Sequence, residues 1–307
     1  MQDTIEKNLT NMYSNEYVLG VSSGTSAIII SLMMGKYSKD SEVIIPSIAC
    51  PAVLSAVSYC NLKPVFVDME IEYFNMSIES IAQSITEKTV AIIGVHSYGI
   101  TANISEIQKT CNEKNILLIE DCCLSIGNKI NNQKIGTFGD ISIFSFRNDK
   151  IIGGAGGALL FKNKNNFLDA KIILDENKIF NQINYDEKNI DKEFKNLDEN
   201  IYKRNQKAKK FSELIVNKNI TKPKYRDSDV YWRYPALVKN NRKDLLEKSR
   251  KENIVITYHY PSLAKFQYNT FLPIADRFDK SVINFFVNET ADEEYIEKVA
   301  YLVDSHG

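Results

Sequence analysis

The sequence predicts an α/β protein in which a mostly parallel sheet forms a large domain and a smaller α+β unit follows it. Three observations carry this prediction. Short runs rich in Ile and Val alternate with amphipathic stretches in the first half, a charged region without Gly or Pro follows, and strand-like and helix-like segments resume near the carboxyl terminus. Strands buried on both faces form nearly continuous apolar runs, and repeated strand–helix–strand units indicate crossovers in a parallel sheet.

The first half supplies the elements of the large domain. The predicted strands span 42–46, 63–68, 89–96, 116–121, 140–146 and 157–161. The predicted helices between them span 26–38, 77–86 and 104–115, where apolar residues recur with helical spacing.

The second half begins with a change in composition. Between about 167 and 219 the charge density predicts exposed or bundled helices that connect two domains. An apolar segment at 230–238, a helix at 242–251, the segment IVITYHYP at 254–261 and a final helix at 291–305 then predict a smaller α+β unit. We therefore expect a large cofactor-binding domain at 1–185 and a small domain at 186–307.

Composition excludes several classes of function. The chain has 307 residues with 38 Lys and Arg against 39 Asp and Glu, a net charge of −1, so we expect no nucleic-acid or anionic-membrane partner. No apolar run approaches the roughly 18 residues of a membrane span, and the amino terminus lacks a signal-peptide pattern. The five cysteines are odd in number and form no CxxC pair, which predicts reduced thiols in a cytoplasmic protein and no metal site.

The first candidate site element is the loop Ser22-Ser23-Gly24-Thr25-Ser26, which follows an apolar stretch and precedes a helix. The first N–H groups of a helix have no partner within it, so such a loop can bind a phosphate group. A Ser or Thr that merely caps the helix explains the same pattern.

The second element is the acidic pair Glu120-Asp121 at the end of a buried strand. A carboxylate there is costly to bury unless it meets a cation or a strong donor, and a protonated pyridine nitrogen is one such partner. The alternative is a cap of the following turn.

The third element is Lys150, which lies between the strand ending in Phe144-Ser145-Phe146 and the glycine-rich turn 153–157. A lysine beside closely approaching backbone is a candidate for a Schiff base, although an ordinary surface lysine is the usual alternative. The three elements together are more specific than any one of them, because they match the contacts that pyridoxal phosphate requires from a protein.

The order and spacing of these blocks resemble the DegT/DnrJ/EryC1/StrS family of aminotransferases. The matching blocks are SSGTSA at 22, IIPS at 44, KPVFVDME at 63, VHSYG at 95, IEDCCLSIG at 119, GTFGDISIFSFRNDK at 136 and GGAGG at 153. IVITYHYPSLAKF at 254 and SVINFFVNETADEEYIEKV at 281 resemble the small domain of the family more weakly. The resemblance implies a fold-type-I, pyridoxal 5′-phosphate-dependent transferase.

The resemblance also implies roles for individual residues. Lys150 would hold the cofactor covalently and carry a proton between the substrate carbon and the cofactor C4′ atom, and Asp121 would keep the pyridine nitrogen protonated. The phosphate would be bound by Gly24, Thr25 and Ser145. His96 is expected beside the cofactor, as a hydrogen-bonding residue rather than as the catalytic base.

Four departures from the family pattern concern the substrate more than the cofactor. Leu124 stands where relatives have a polar residue near the cofactor hydroxyl, leaving Ser125 as a substitute, and Cys50 stands where an aromatic ring often stacks on the cofactor. The chain is shorter than typical members before residue 22. The Gly-Tyr-Asn-x-Arg block, which in relatives reaches the partner's cofactor, is reduced to INYDEKN at 183–189.

The function that the sequence predicts is transfer of an amino group from an amino acid, L-glutamate by resemblance, to a keto-sugar that is nucleotide-linked. A homodimer is expected. The alternatives are a pyridoxal-phosphate enzyme of altered reaction, such as a dehydratase or lyase on a smaller substrate, and a non-catalytic sensor or partner subunit. Arg233 is a candidate carboxylate or phosphate clamp or an ordinary surface arginine, and the segment 258–260 is a candidate acceptor pocket or a core strand.

Overall fold

The computed structural model describes residues 4–182, 186–267 and 270–306. The first nine strands are Val18–Val21 (β1), Glu42–Pro46 (β2), Lys63–Val67 (β3), Thr89–Val95 (β4), Leu117–Asp121 (β5), Lys129–Ile130 (β6), Gln133–Lys134 (β7), Ile141–Ser145 (β8) and Gly157–Phe161 (β9). Seven of them form one sheet in the order β1-β9-β8-β5-β4-β2-β3, while β6 and β7 form a separate hairpin. Each of the six predicted strands is present within one residue of its expected ends.

The sheet is mostly parallel, as the sequence predicts. The pairs β2–β3, β2–β4, β4–β5 and β5–β8 are parallel. Strand β9 runs antiparallel to both β8 and β1, because the eleven residues between β8 and β9 form a loop and not a crossover helix. The start of β9 therefore lies at the same edge as the ends of β1, β5 and β8.

Helices cover both faces of this sheet. They are Thr4–Tyr13 (α1), Gly24–Met33 (α2), Pro51–Tyr59 (α3), Ile78–Ser84 (α4), Ile104–Lys114 (α5) and Lys164–Glu176 (α6). Two groups of buried apolar side chains result, one on the side of α1 and α5 and the other on the side of α2 and α3. The predicted helix 26–38 is longer than α2, since the chain turns at Lys36 with a positive φ.

The carboxyl-terminal part has its own sheet and core. Strands Ile220–Thr221 (β10), Arg233–Val238 (β11) and Val282–Phe286 (β12) pair antiparallel. The helices of this part are Glu187–Lys195 (α7), Leu197–Leu214 (α8), Arg242–Lys251 (α9), Ala264–Gln267 (α10), Pro273–Ser281 (α11) and Glu293–His306 (α12). The apolar segment 254–261 contributes a single bridge between Thr257 and Asn284 instead of a strand.

The expected domain boundary at 185/186 stays a prediction, because residues 183–185 lie outside the described part of the chain. The two sheets fall on opposite sides of it. Helix α7, however, lies against α1, where Asn8 Nδ2 donates to Asp191 Oδ1 at 2.7 Å. Within the described ranges, no helix combines the length and apolar character needed to cross a bilayer.

Candidate active site

A cavity of about 280 Å³ opens at the edge of the large sheet where β1, β5 and β8 end and β9 begins. Six of the seven residues that the sequence assigns to the site line it: Gly24, Thr25, Cys50, Asp121, Ser145 and Lys150. The topology explains this meeting, because β5 and β8 are neighbouring parallel strands and Gly157 at the start of β9 pairs with both Ser145 and Val21. The large sheet thus gathers residues far apart in sequence at one edge.

The phosphate loop forms a close-fitting cradle at the start of α2. A Cβ atom on Gly24 would lie 3.0 Å from Cys123 Sγ and 3.1 Å from Ser145 Cβ. A Cβ atom on Gly157 would lie 2.4 Å from the carbonyl carbon of Ser23. Glycine is therefore required at 157, where fixed backbone blocks a Cβ atom, and at 24 a Cβ atom would be tight against two side chains. Gly24 and Thr25 line the cavity, so the start of the helix faces the space in which a small anion could bind.

The loop also caps the helix, which was the alternative explanation of its sequence. Ser23 is the N-cap of α2, and its hydroxyl accepts from the Ser26 amide at 3.1 Å. The Ser22 and Ser26 hydroxyls lie 2.7 Å apart. Capping and anion binding are compatible here, because the cap uses one of the free amides and leaves those of Gly24 and Thr25.

Asp121 presents a carboxylate oxygen to the cavity. The residue is only 7% exposed, and Oδ1 accepts from the Cys123 amide at 2.9 Å, as a turn cap does. The Cys123 thiol also forms a hydrogen bond with this carboxylate. A buried carboxylate on the cavity wall can bind a protonated ring nitrogen.

Lys150 lies at the end of a loop that is attached to the small unit. Trp232 Nε1 donates to the Asp149 carbonyl at 2.6 Å, and the Lys150 Nζ atom lies 5.4 Å from the centre of the Trp232 ring. The neighbouring Arg147 is bound to Asp149 through two hydrogen bonds. Lys150 itself forms no salt bridge with any described residue, so its amine is available for chemistry.

Two of the four expected departures, Cys50 and Leu124, are visible beside the cavity. Cys50, Leu124 and Tyr260 line a small adjoining space of about 30 Å³ together with Asp121 and Lys150. Tyr260 thus supplies an aromatic ring near the position where the sequence places only Cys50. The Ser125 hydroxyl, by contrast, is buried without a hydrogen-bond partner among the described residues and lines neither space.

His96, the seventh predicted residue, lies in the core and not on the cavity wall. Its side chain is fully buried, with Nδ1 accepting from the Ala102 amide at 3.1 Å and Nε2 lying 3.3 Å from Glu120 Oε1. Nε2 therefore carries the proton and donates it to Glu120. This geometry supports the hydrogen-bonding role and gives His96 no direct contact with a ligand in the cavity.

Glu120 has a structural role that the sequence did not reveal. Its two oxygens accept five hydrogen bonds, from the amides of Gly136, Phe138 and Gly139, the Ser142 hydroxyl and His96. Burial alone would raise the pKa of Glu120, but the bonds from His96, Gly136 and Gly139 outweigh it and hold the pKa below its ordinary value. The acidic pair is thus divided, with Glu120 facing the core and Asp121 facing the cavity.

Cys122 lies close enough to His96 and Glu120 for the three to share a metal ion. Burial raises the pKa of the Cys122 thiol well above its ordinary value, so the thiolate form that binds metals is disfavoured. The His96 and Glu120 ligand atoms already serve the hydrogen bonds described above. The three side chains are therefore interpreted as buried parts of the core and not as metal ligands.

Comparison with known sequences gives a family match and several curated relatives. The sequence model of the DegT/DnrJ/EryC1/StrS aminotransferase family matches residues 1–178. A GDP-perosamine synthase of Vibrio cholerae is 32% identical over 167 residues, which are 54% of this chain and 46% of that protein. A UDP-N-acetyl-3-dehydro-alpha-D-glucosamine 3-aminotransferase of Acidithiobacillus ferrooxidans is 37% identical over 50% of this chain and 41% of its own length. The matches therefore span less than half of these curated relatives.

Solved structures share the fold over nearly the whole chain. PseC of Helicobacter pylori, an aminotransferase involved in the biosynthesis of pseudoaminic acid, superposes with a TM-score of 0.90 at 22% identity, over 98% of this chain and 89% of that one. NtdA of Bacillus subtilis, solved with bound cofactor PMP, superposes with a TM-score of 0.83 at 23% identity, over 98% and 76%. The expected fold-type-I architecture is confirmed.

Proposed function

Because the chain belongs to the DegT/DnrJ/EryC1/StrS aminotransferase family, we propose that it is a pyridoxal 5′-phosphate-dependent aminotransferase. The observation that carries this proposal is the meeting of the helix start at Gly24, the carboxylate of Asp121 and the amine of Lys150 in one cavity. The donor is an amino acid, for which L-glutamate is the first candidate, and the acceptor is a nucleotide-linked keto-sugar. The names of the two curated relatives support this class of acceptor.

The residues present fit the three parts of the cofactor that need a protein contact: the phosphate, the pyridine nitrogen and the aldehyde carbon. A phosphate needs free amides in a space without side chains, which Gly24 and Gly157 leave open. A protonated pyridine nitrogen needs a buried carboxylate, and Asp121, which is 7% exposed, lines the cavity. The aldehyde carbon needs an amine without a competing acid, and Lys150 lies on the same wall.

The mechanism follows from these positions. When bound, pyridoxal phosphate supplies an electron sink that allows a C–H bond next to the amino group to be broken. Asp121 would hold a proton on the ring nitrogen. Lys150 would hold the cofactor, and its Nζ atom, once a substrate amine has displaced it, would carry a proton between the substrate carbon and the cofactor C4′ atom. Two aromatic rings lie near this amine: the centre of the Trp232 ring is 5.4 Å from Nζ, and Tyr260 lines a small space together with Lys150.

We also propose that the protein works as a homodimer in the cytoplasm. Family resemblance supports the dimer, since a second subunit normally completes such sites. The sequence remnant that corresponds to the block reaching the partner begins at residue 183, outside the described residues, so the dimer rests on resemblance alone. The cytoplasmic setting rests on the cysteine pattern of the sequence.

A second candidate is a pyridoxal-phosphate enzyme of altered reaction, a dehydratase or lyase acting on a smaller substrate. Leu124 favours it, because this apolar side chain lines the small space next to Asp121, at the position where the family resemblance implies a polar residue. A non-catalytic sensor or partner subunit is a third candidate. It is weakened by the presence of both Lys150 and Asp121 on the cavity wall.

The test is an absorption spectrum of the protein with pyridoxal phosphate, before and after L-glutamate, for the wild type, Lys150→Ala and the control Lys164→Ala. Lys164 is exposed at the start of α6. The proposal expects a visible band in the wild type and the control, its absence in Lys150→Ala, and its conversion to the pyridoxamine spectrum by glutamate. A band that persists with every amino donor favours the sensor, and a wild type without any Lys150-dependent band refutes the cofactor assignment.

A further inference from the structure

The small adjoining space of about 30 Å³ shares part of its wall with the main cavity. The residues that line both are Cys50, Asp121, Cys123 and Lys150. The residues of the proposed phosphate site line only the main cavity, and they are Gly24, Thr25 and Ser145. The adjoining space therefore lies beside the acid and the lysine but apart from the phosphate site.

The order of strands in the large sheet places the phosphate site and the adjoining space on opposite sides of Asp121. Strands β1 and β8, at whose ends the phosphate site lies, are on one side of β5, which carries Asp121. Strands β4 and β2 are on the other side. Ser97 follows β4 and Ile48 follows β2, and both line the adjoining space.

This arrangement determines which part of pyridoxal phosphate would meet the adjoining space. On the pyridine ring, the phosphate arm and the phenolic oxygen flank the aldehyde carbon, and the ring nitrogen lies opposite that carbon. The proposed function puts the phosphate at the start of α2, the nitrogen at Asp121 and the aldehyde carbon at Lys150. The phenolic oxygen then points away from the phosphate site and faces the adjoining space.

Ser97 places an unpaired hydroxyl on the wall of this space. The residue is only 4% exposed, and its hydroxyl has no hydrogen-bond partner among the described residues. Leaving a buried polar group unpaired costs free energy, and a ligand that accepts its hydrogen bond removes that cost. The orphaned hydroxyl thus points to a ligand atom in the adjoining space.

The backbone around Ser97 holds this hydroxyl in place. The Ser97 amide donates to Asn75 Oδ1 at 3.0 Å, and its carbonyl accepts from the Ile100 amide at 2.9 Å. Asn75 is fixed in turn, because its Nδ2 atom donates to the carbonyls of Tyr73 and Ile100. Ser97 also lies two residues after Val95, the partner of Asp121 in the pairing of β4 with β5.

The size of the adjoining space suits a single oxygen atom. Its volume of about 30 Å³ is close to the share of one molecule in liquid water. Leu124 lines the space without offering a hydrogen bond, and Ser125 does not line it. Tyr260 is the other polar residue that lines this space and not the main cavity, but it reaches the wall from the small unit.

We propose that the Ser97 hydroxyl binds the phenolic oxygen of the cofactor. It thereby takes the role that the family resemblance gives to the residue three positions after Asp121, which is Leu124 here. With the ring nitrogen protonated, the phenolic oxygen carries negative charge, so the bond from Ser97 is charge-assisted. The assignment rests on the proposed function, which supplies the orientation of the ring.

Calorimetric titration with two cofactors tests the assignment. The first is pyridoxal phosphate, and the second is 3-deoxypyridoxal phosphate, in which hydrogen replaces the phenolic hydroxyl. The variants are Ser97→Ala, Tyr260→Phe and the control Ser125→Ala. Ser125 is a matched control, since its hydroxyl is also buried without a described partner but lines neither space.

Ser97→Ala is expected to weaken pyridoxal phosphate binding about 10- to 100-fold, the usual effect of losing a hydrogen bond to a charged group. The 3-deoxy analogue should bind Ser97→Ala and wild type equally, because it has no oxygen to lose. Ser125→Ala should match the wild type with both cofactors, and Tyr260→Phe should keep the preference for pyridoxal phosphate. Without cofactor, Ser97→Ala should unfold at the same urea concentration as the wild type, since its hydroxyl has no described partner.

Three results would overturn the assignment. They are equal affinity of Ser97→Ala and wild type for pyridoxal phosphate, an equal loss with both cofactors, and a loss of the preference in Tyr260→Phe instead of Ser97→Ala. Each of these can occur while the Lys150-dependent absorption band is intact, and the proposed function then stands. A wild type without that band refutes the proposed function and the role of Ser97 together.

Discussion

Replacing Glu120 with glutamine tests how the acid next to Asp121 supports the site. The change removes one negative charge and converts one carboxylate oxygen into an NH2 group of nearly the same size. Glu120 Oε1 accepts two hydrogen bonds and Oε2 accepts three, all from buried donors. In either orientation of the amide, at least two donors therefore lose their acceptor.

The magnitude follows from these lost acceptors. The least costly orientation leaves the Gly136 amide and His96 Nε2 unpaired. His96 cannot change tautomer to escape, because its Nδ1 atom accepts from the Ala102 amide. A buried donor without an acceptor costs about 1–3 kcal/mol, so Glu120→Gln should lower the free energy of unfolding by about 2–6 kcal/mol. That is a large fraction of a typical stability of about 5–15 kcal/mol.

Urea unfolding followed by circular dichroism measures this difference, with Glu79→Gln as the control. Glu79 is exposed and accepts one hydrogen bond from Gln83, so its replacement should change stability by less than about 0.5 kcal/mol. A loss below about 1 kcal/mol for Glu120→Gln, or one equal to that of the control, would refute the hydrogen-bond argument.

The same pair of proteins gives a pH dependence with a defined sign. The pKa of Glu120 is lowered in the folded protein, so its ionised form stabilises the fold above the unfolded pKa of roughly 4.3. This contribution is lost as the pH falls through the folded value. The difference between wild type and Glu120→Gln should be complete at neutral pH and shrink below about pH 4, and a difference that grows on acidification would contradict the assigned direction.

Two further substitutions test the proposed cofactor site. Gly157→Ala should raise the dissociation constant for pyridoxal phosphate on the order of 10- to 100-fold, because the new Cβ would lie 2.4 Å from the Ser23 carbonyl carbon and displace the phosphate loop. The control Gly153→Ala should bind normally in the same spectral titration, since its Cβ meets nothing closer than 3.4 Å. Asp121→Asn should keep the Lys150-dependent band but slow its conversion by L-glutamate on the order of 100-fold or more in stopped-flow absorbance, because a neutral amide cannot hold the ring nitrogen protonated. An unchanged rate would remove Asp121 from the proposed role.

The fold could be predicted where a single local pattern decides the structure. The six apolar runs became strands because each is buried in the large sheet, and α9 spans the same residues, 242–251, as its predicted helix. The antiparallel direction of β9 was not predicted. The sequence did contain a signal for it, because the residues between β8 and β9 are too few for the crossover that a parallel pair needs. The segment 254–261 has the composition of a strand, but it forms only one bridge within the described residues. That bridge joins Thr257 to Asn284 of β12.

The candidate site could be predicted only where its residues follow strands of the large sheet. Gly24, Asp121, Ser145 and Lys150 all lie near a strand end or the loop beyond one, and topology brings them to one edge. Trp232 was missed because it reaches the site from the other unit, through contacts that no local pattern encodes. Glu120 was predicted as half of an acidic pair, but the alternation of side chains along β5 separates its role from that of Asp121.

Lys150 lies at the junction of the two units, and this position gives the site two separable halves. The cradle, Asp121 and Ser145 belong to the large sheet, whereas Trp232 and Arg233 belong to β11 and the residue before it. Trp232 joins the halves, because its Nε1 atom donates to the Asp149 carbonyl and its ring lies 5.4 Å from Lys150 Nζ. Substitutions in the cradle should therefore act on cofactor binding directly, whereas substitutions at Trp232 should act through the position of the Lys150 loop.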